Sequence, residues 1–304
     1  MFPHRFNWLF ALVLFSLGLV SESRADLLVS NFDTDSVLRF DDRTGRFIDV
    51  FISGGGLDGP RGLATGPDGN IYVSSQLNNR ILRYDGRSGA FMDTFIASGL
   101  DFQTDLAFGQ DGNLYVADGT QIERYSGQTG AALGRVSTVD AEGLAFHTDG
   151  RLFASGLQRV YQITPFEREF GRGGHDGIFG PRGIDIGPDG LLYLSSQNSQ
   201  EIKRFDPNTR SFVDDFIGAG ANGVFNPQGL RFGPDGALYV ADDGTNSIRK
   251  FSASTGAFEG DFASGGGLSS PTFFIFHNTA VPEPSSATLV AFIGLSLCHY
   301  RRRR

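Results

Sequence analysis

The sequence predicts an all-β fold, a six-bladed β-propeller. Three observations predict it. A turn motif built on Asp-Gly, three times as Gly-Pro-Asp-Gly, occurs five times through the middle of the chain. Short apolar runs flank every copy at strand-like spacing. The stretches before the first copy and after the last are complementary parts of one further unit.

The chain opens with His4 and Arg5, an apolar run from Trp8 to Val20, and then Ser21-Glu22-Ser23-Arg24-Ala25. A short basic start, an apolar centre and a small-residue exit predict a secretory signal peptide over residues 1–25, with Asp26 first in the mature chain. Leu27-Leu28-Val29-Ser30, then Ser36-Val37-Leu38-Arg39-Phe40, then residues 47–52 read as three short strands.

The complete units follow. Gly66-Pro67-Asp68-Gly69-Asn70-Ile71-Tyr72-Val73 returns at residues 109–116, 147–154, 187–194 and 233–240, with Asp-to-Asp spacings of 43, 38, 40 and 46 residues. Strand a precedes the turn, as in Gly62-Leu63-Ala64-Thr65. Asp-Gly then reads as a hairpin turn, in which Gly supplies a positive φ and Asp tolerates the tight geometry. Strand b is Ile71-Tyr72-Val73. Strand c is Arg80-Ile81-Leu82-Arg83-Tyr84, returning as Glu201-Ile202-Lys203-Arg204-Phe205 and Ser247-Ile248-Arg249-Lys250-Phe251. Strand d carries aromatics: Phe91 and Phe95, Phe212 and Phe216, Phe258 and Phe262. Four strands in about 40 to 45 residues make a propeller blade. Pro271-Thr272-Phe273-Phe274-Ile275-Phe276 supplies a strand a with no partner, and residues 27–52 supply b, c and d. Together they predict a sixth blade that closes the ring, leaving no open sheet edge between the ends.

The chain finishes with Val281-Pro282-Glu283-Pro284, an apolar stretch over 286–300 and Arg301 to Arg304. In this order and place the three parts resemble the PEP-CTERM sorting signal of bacterial envelope proteins. The resemblance implies an exosortase-type sorting enzyme as partner, acting near Pro282, Glu283 and Pro284. It also implies transient insertion of the apolar helix in the inner membrane, with the Arg cluster held on the cytoplasmic side. The apolar stretch is shorter than the ~20 residues of an ordinary spanning helix. The expected domains are therefore a signal peptide (1–25), a propeller (26–277) and a sorting tail (278–304). The expected location is the cell envelope, cell surface or exterior.

Composition bounds the function. Among 304 residues, 42 are Gly, 29 Phe and one Cys. Glycine at about 14%, against a typical ~7%, fits a turn-rich fold. A single Cys excludes a disulfide framework and a Cys-ligated zinc site. The net charge is −8, and without Arg5, Arg24, Arg301 to Arg304, Glu22 and Glu283 it is about −12. Such an acidic body argues against nucleic acid as partner, because phosphate binding needs a basic face.

Pro60-Arg61-Gly62-Leu63, Gly66-Pro67-Asp68-Gly69 and Tyr72-Val73, with their later counterparts, resemble the NHL-repeat family and more loosely the SMP-30/gluconolactonase and streptogramin-lyase propellers. Gly171, Gly173, Gly174, Phe179 and Pro181 resemble the glycine-rich link between NHL blades. The resemblance covers roughly residues 27–277 and bears on fold more than function.

It implies that the d-to-a and b-to-c links share one face, where the central channel opens. The residue before the strand-a Gly is then the one to inspect: Arg61, Thr104, Glu142, Arg182, Gln228 and Thr272. Strand-b ends add Asp118 and Asp242, with Ser75 and Ser196 in other blades. The candidate ligand-binding residues are Arg61, Thr104, Asp118, Glu142, Arg182, Gln228 and Asp242. Two Arg suit a carboxylate or sulfate; alternatively they pair with Glu142, Asp118 or Asp242. Asp185 and Arg231 replace small or apolar strand-a residues in neighbouring blades and are expected to pair.

Two related enzyme groups use a divalent metal in this channel, but the strand-a slots here offer one acid and no His, and the two Arg would repel a cation. His4 and His299 lie in the ends, His147 and His277 at the turn face; His175, in a link, is the one His expected on the channel face. The reading is therefore an exported, noncatalytic binding propeller without cofactor. Its partner is an envelope protein, a polysaccharide or a small acidic ligand. The alternative is a metal-dependent lyase or lactonase.

Overall fold

The computed structural model describes residues 25–172, 176–220 and 223–278. These form six four-stranded antiparallel sheets, the blades of a β-propeller. Five blades take four consecutive strands each. Blade 1 spans 60–96, blade 2 103–137, blade 3 143–172, blade 4 181–217 and blade 5 227–264. The sixth combines Pro271–Asn278 with Ala25–Asn31, Ser36–Asp41 and Phe47–Ser53, in that order from the channel outward. Leu27 lies opposite Phe276, and Val29 opposite Phe274. The predicted closure by the two ends of the repeat region is therefore present.

The core is not central. Six buried apolar clusters each join residues of two neighbouring blades. The recurrent Phe residues have a specific use there. Tyr72 of strand b makes edge-on contacts with Phe95 of its own blade and Phe108 of the next, at 4.8 and 4.9 Å between ring centroids. Tyr193 does the same with Phe216 and Phe232, and Tyr239 with Phe262 and Phe276. Such pairs add about 0.5–1.5 kcal/mol beyond area burial.

The turn is longer than a two-residue Asp-Gly hairpin. The N–H of Gly66 donates to the Asn70 carbonyl, and that of Gly69 to the Gly66 carbonyl, which leaves a three-residue loop with Gly69 at φ 78°. Asp68 also does more than fit the turn. It accepts hydrogen bonds from the Asn70 N–H and from the Tyr72 hydroxyl, and Asp111, Asp189 and Asp235 hold Tyr115, Tyr193 and Tyr239 alike. The turn thereby aims the ring that joins two blades.

Inner strands run from the link face to the turn face. Pro271–Asn278 does so too, and Ala25 pairs with Asn278. The described propeller thus begins and ends on the turn face. Close approach around the channel explains the strand-a Gly. A Cβ on Gly62 would lie 2.8 Å from the Asp105 Cα, and one on Gly183 would lie 2.7 Å from the Leu230 nitrogen. Residues 1–24 and 279–304 lie outside the described residues, so the expected signal peptide, Pro282, Glu283, Pro284 and the apolar stretch do as well. Among the described residues no helix is long and apolar enough to cross a membrane.

Candidate functional site

The strand-a slots meet at the link face, as their register requires. Arg61, Arg182, Gln228 and Thr272 line one cavity of about 170 Å³ at the channel mouth, with Phe32, Gln197, Asp243 and Ser270 from the links. An adjoining cavity of about 220 Å³ is lined by Glu142, Arg182, Leu157, Gln158 and Asn198, among others.

The polar groups are unequally satisfied. Arg182 donates from Nε to Gln197 at 2.9 Å and from Nη1 to Glu142 Oε2 at 2.7 Å. The Asp243 carboxylate accepts from the Asn226 amide at 2.7 Å. Gln228 donates weakly to Asn226 at 3.4 Å. Arg61 stands apart. It is 9% exposed, its Nε has no hydrogen-bond partner, and no ion pair or side-chain hydrogen bond engages it among the described residues. Burial, helped by the Arg182 cation and opposed by the Glu142, Asp105 and Asp243 carboxylates, lowers its pKa to about 10, so it remains charged at neutral pH. A buried cation without hydrogen-bonding oxygens is costly.

The other predicted residues are placed differently. Thr104 donates its hydroxyl proton to the Ala141 carbonyl at 3.1 Å, and Thr272 to the Pro60 carbonyl at 3.2 Å; both stitch one inner strand to the next blade. Asp118 and Asp242 hold links. Asp118 accepts from the Asp101 N–H at 2.6 Å, and Asp242 from those of Phe225 and Asn226 at 3.0 Å. Ser75, Ser196 and Asn31 receive a link N–H in the same way. The strand-b end is thus a clamp on the d-to-a link of its own blade, and its two Asp are not among the residues lining the mouth cavity.

One channel residue escaped the sequence reading. Asp105 takes the slot that Gly62, Gly143, Gly183 and Gly229 fill elsewhere, and that substitution was the available signal. It is buried and accepts from the N–H groups of Leu106 and Leu144 at 2.8 and 3.0 Å. Burial raises its pKa, opposed by Arg231. Asp185 and Arg231 do pair, at 3.6 Å, and Asp185 also accepts from the Phe232 N–H. Burial raises the Asp185 pKa too, again against Arg231. Arg231 lines a cavity of about 350 Å³ towards the turn face, among Leu63, Ala64, Leu106, Phe232 and Ile275. His277 lies at the turn face, bonded to Thr65 and to the Gly86 carbonyl. His175 lies outside the described residues.

The mouth does not fit a divalent cation. Glu142 is committed to Arg182, two guanidinium groups share the space, and no three His, Cys, Asp or Glu form a metal-ligand group among the described residues.

No family model matches the chain, and no curated protein matches it. Solved structures share the fold. A chain of a nidogen/laminin complex superimposes with a TM-score of 0.68 at 15% identity, over 84% of this chain and 100% of that one. A protein of unknown function from Bacteroides caccae gives 0.64 at 13%, over 83% and 98%. Virginiamycin B lyase from Staphylococcus aureus gives 0.59 at 13%, over 85% and 94%. At these identities the likeness is one of fold.

Proposed function

We propose that this chain is an exported, noncatalytic binding propeller whose channel mouth receives an anionic group of its ligand. The observation that carries the reading is Arg61: a buried guanidinium with no ion pair and no acceptor for its Nε among the described residues, at the wall of a solvent-reaching cavity. A carboxylate in the cavity would meet this guanidinium as a charge-assisted acceptor. Gln228 and Ser270 line the same cavity and offer neutral polar atoms to the remainder of the ligand. A metal-assisted lyase or lactonase needs a donor set that the mouth lacks, so the resemblance to the streptogramin-lyase propellers is read as one of scaffold.

The export part of the proposal rests on the two end segments of the sequence. It assigns the exosortase-type enzyme and the inner membrane as partners of the tail, and the ligand as partner of the mouth.

Calorimetric titration with sodium glucuronate at low salt, with glucose as the uncharged control, tests the mouth. The expected result is glucuronate binding that weakens at least tenfold in Arg61→Met, with glucose not bound. Equal affinity for glucose, or glucuronate binding indifferent to Arg61→Met, overturns the reading.

A further inference from the structure

Large apolar side chains are exposed unevenly between the two faces of this propeller. Of those that stand out in solvent among the described residues, Leu77, Phe102, Leu157, Phe179 and Phe225 belong to the links around the channel mouth. One, Phe166, belongs to a turn on the opposite face, and the others lie on outer strands. The mouth therefore has a polar centre of mixed charge, with Arg61 at its wall, and an apolar surround.

Two of these five are held against backbone preference. Phe102 is 53% exposed with φ 64°, and it occupies the position before strand a that Gly59 and Gly180 fill at φ 61° and 62°. Leu157 is 62% exposed with φ 40°. A left-handed conformation is unfavourable for bulky L-residues, and neither side chain is rewarded by burial. Strained, exposed apolar residues beside a polar pocket are the marks of a contact surface.

We propose that the mouth face docks a surface loop of a protein partner, a loop that sets one carboxylate side chain against Arg61 and seats its apolar neighbours on the rim of Phe102, Leu157, Phe179, Phe225 and Leu77. This rests on the anion-receiving mouth proposed above and names the class of ligand. A free sugar acid filling the mouth cavity would meet one ring, Phe32, and leave Leu77, Phe102, Phe179 and Phe225 in water. Leucine offers no flat face to stack on a sugar ring. An acidic polysaccharide would also approach a body whose own charge is about −12 once the end segments are set aside, and repulsion would oppose it along its length. A single carboxylate on an otherwise neutral or basic protein avoids that repulsion. An Arg centre ringed by Phe is the composition of a protein interface core.

The test uses the full chain and two probes. A phage library of disulfide-closed seven-residue loops is selected on the wild-type protein, and glucuronate is titrated in parallel. Selected loops are expected to carry Asp or Glu beside aromatic or aliphatic residues and to lose at least tenfold in affinity when that acid is changed to its amide. Phe102→Gly and Leu157→Gly should each weaken loop binding about tenfold and leave glucuronate binding unaltered. Arg61→Met should remove both, and Arg61→Gln, polar but uncharged, serves where Met perturbs the fold. Selected loops lacking an acid, or loop binding indifferent to the rim variants, overturn the docking proposal. If glucuronate binds and loops do not, the docking proposal alone fails; if neither binds, the reading of the mouth fails with it. An acidic oligosaccharide that depends on Phe102 and Leu157 would identify a glycan surface instead and overturn the protein partner.

Discussion

Val29, on the first described strand, lies directly across the ladder from Phe274 on the last. Both are almost wholly buried, in the sheet that joins the two ends of the repeat region. Phe274→Ala is therefore expected to cost about 3–5 kcal/mol, as for any core aromatic. Urea unfolding followed by fluorescence and circular dichroism checks it. One cooperative transition at lower midpoint is the expected outcome; an early separate transition would mean that the ring does not depend on this seam.

The backbone at Phe102 gives a second prediction. Phe102→Gly and Phe102→Ala remove the same exposed ring, but only Gly relieves the left-handed φ. The Gly variant should be more stable than the Ala variant by about 1 kcal/mol, measured by denaturant midpoint. Equal stability would argue against strain at this position.

Arg61 should behave as a residue held at a cost to the fold. Arg61→Met replaces a buried cation, whose Nε lacks an acceptor and whose desolvation outweighs the pull of Glu142, Asp105 and Asp243, by an apolar chain of similar length. It is expected to raise stability by about 1–3 kcal/mol while it removes carboxylate binding. A large loss of stability would assign Arg61 a structural role instead.

The blade pattern was readable because every blade repeats the same steric problem: a turn needing Asp and Gly, a Tyr or Phe bridging to the next blade, and a strand-a residue short enough for inner strands to touch. Arg61, Arg182 and Gln228 could be aligned to the mouth by register alone. Register could not show that Asp118 and Asp242 are occupied with link N–H groups, since that depends on how the link folds back. Asp105 is hard to see in the sequence because it breaks the repeat, and Phe102 because its oddity is a backbone angle. A Phe where two other blades have Gly was the signal in both senses, of strain and of exposure.

His277 makes the closing seam sensitive to pH. Its Nε2–H donates to the Gly86 carbonyl at 2.8 Å and its Nδ1 faces the Thr65 hydroxyl at 3.0 Å. Burial lowers its pKa below the ordinary 6.5, opposed by the Gly86 carbonyl and by Asp26. The fold therefore prefers the neutral ring. This contribution is complete above about pH 6.5 and is lost as pH falls from there towards the folded-state pKa, because the unfolded chain takes up the proton first. Denaturant midpoints between pH 8 and pH 5 should fall for the wild type and fall less for His277→Gln. Parallel curves would remove His277 as the cause.

The end segments give a prediction of a different kind. Expressed intact in a host with an export pathway, the chain should be recovered outside the cytoplasm with Asp26 at its amino terminus, read by mass spectrometry. Retention of residues 1–25 in exported protein would contradict the signal-peptide reading.

Ala25 and Asn278 emerge side by side on the turn face, away from Arg61 and the rim. A propeller tethered through either terminus, or through both at once, would keep its open cup pointing outward. A fusion or surface attachment at these positions leaves the cup unobstructed, whereas an insertion at Phe102 or Phe225 would cover it.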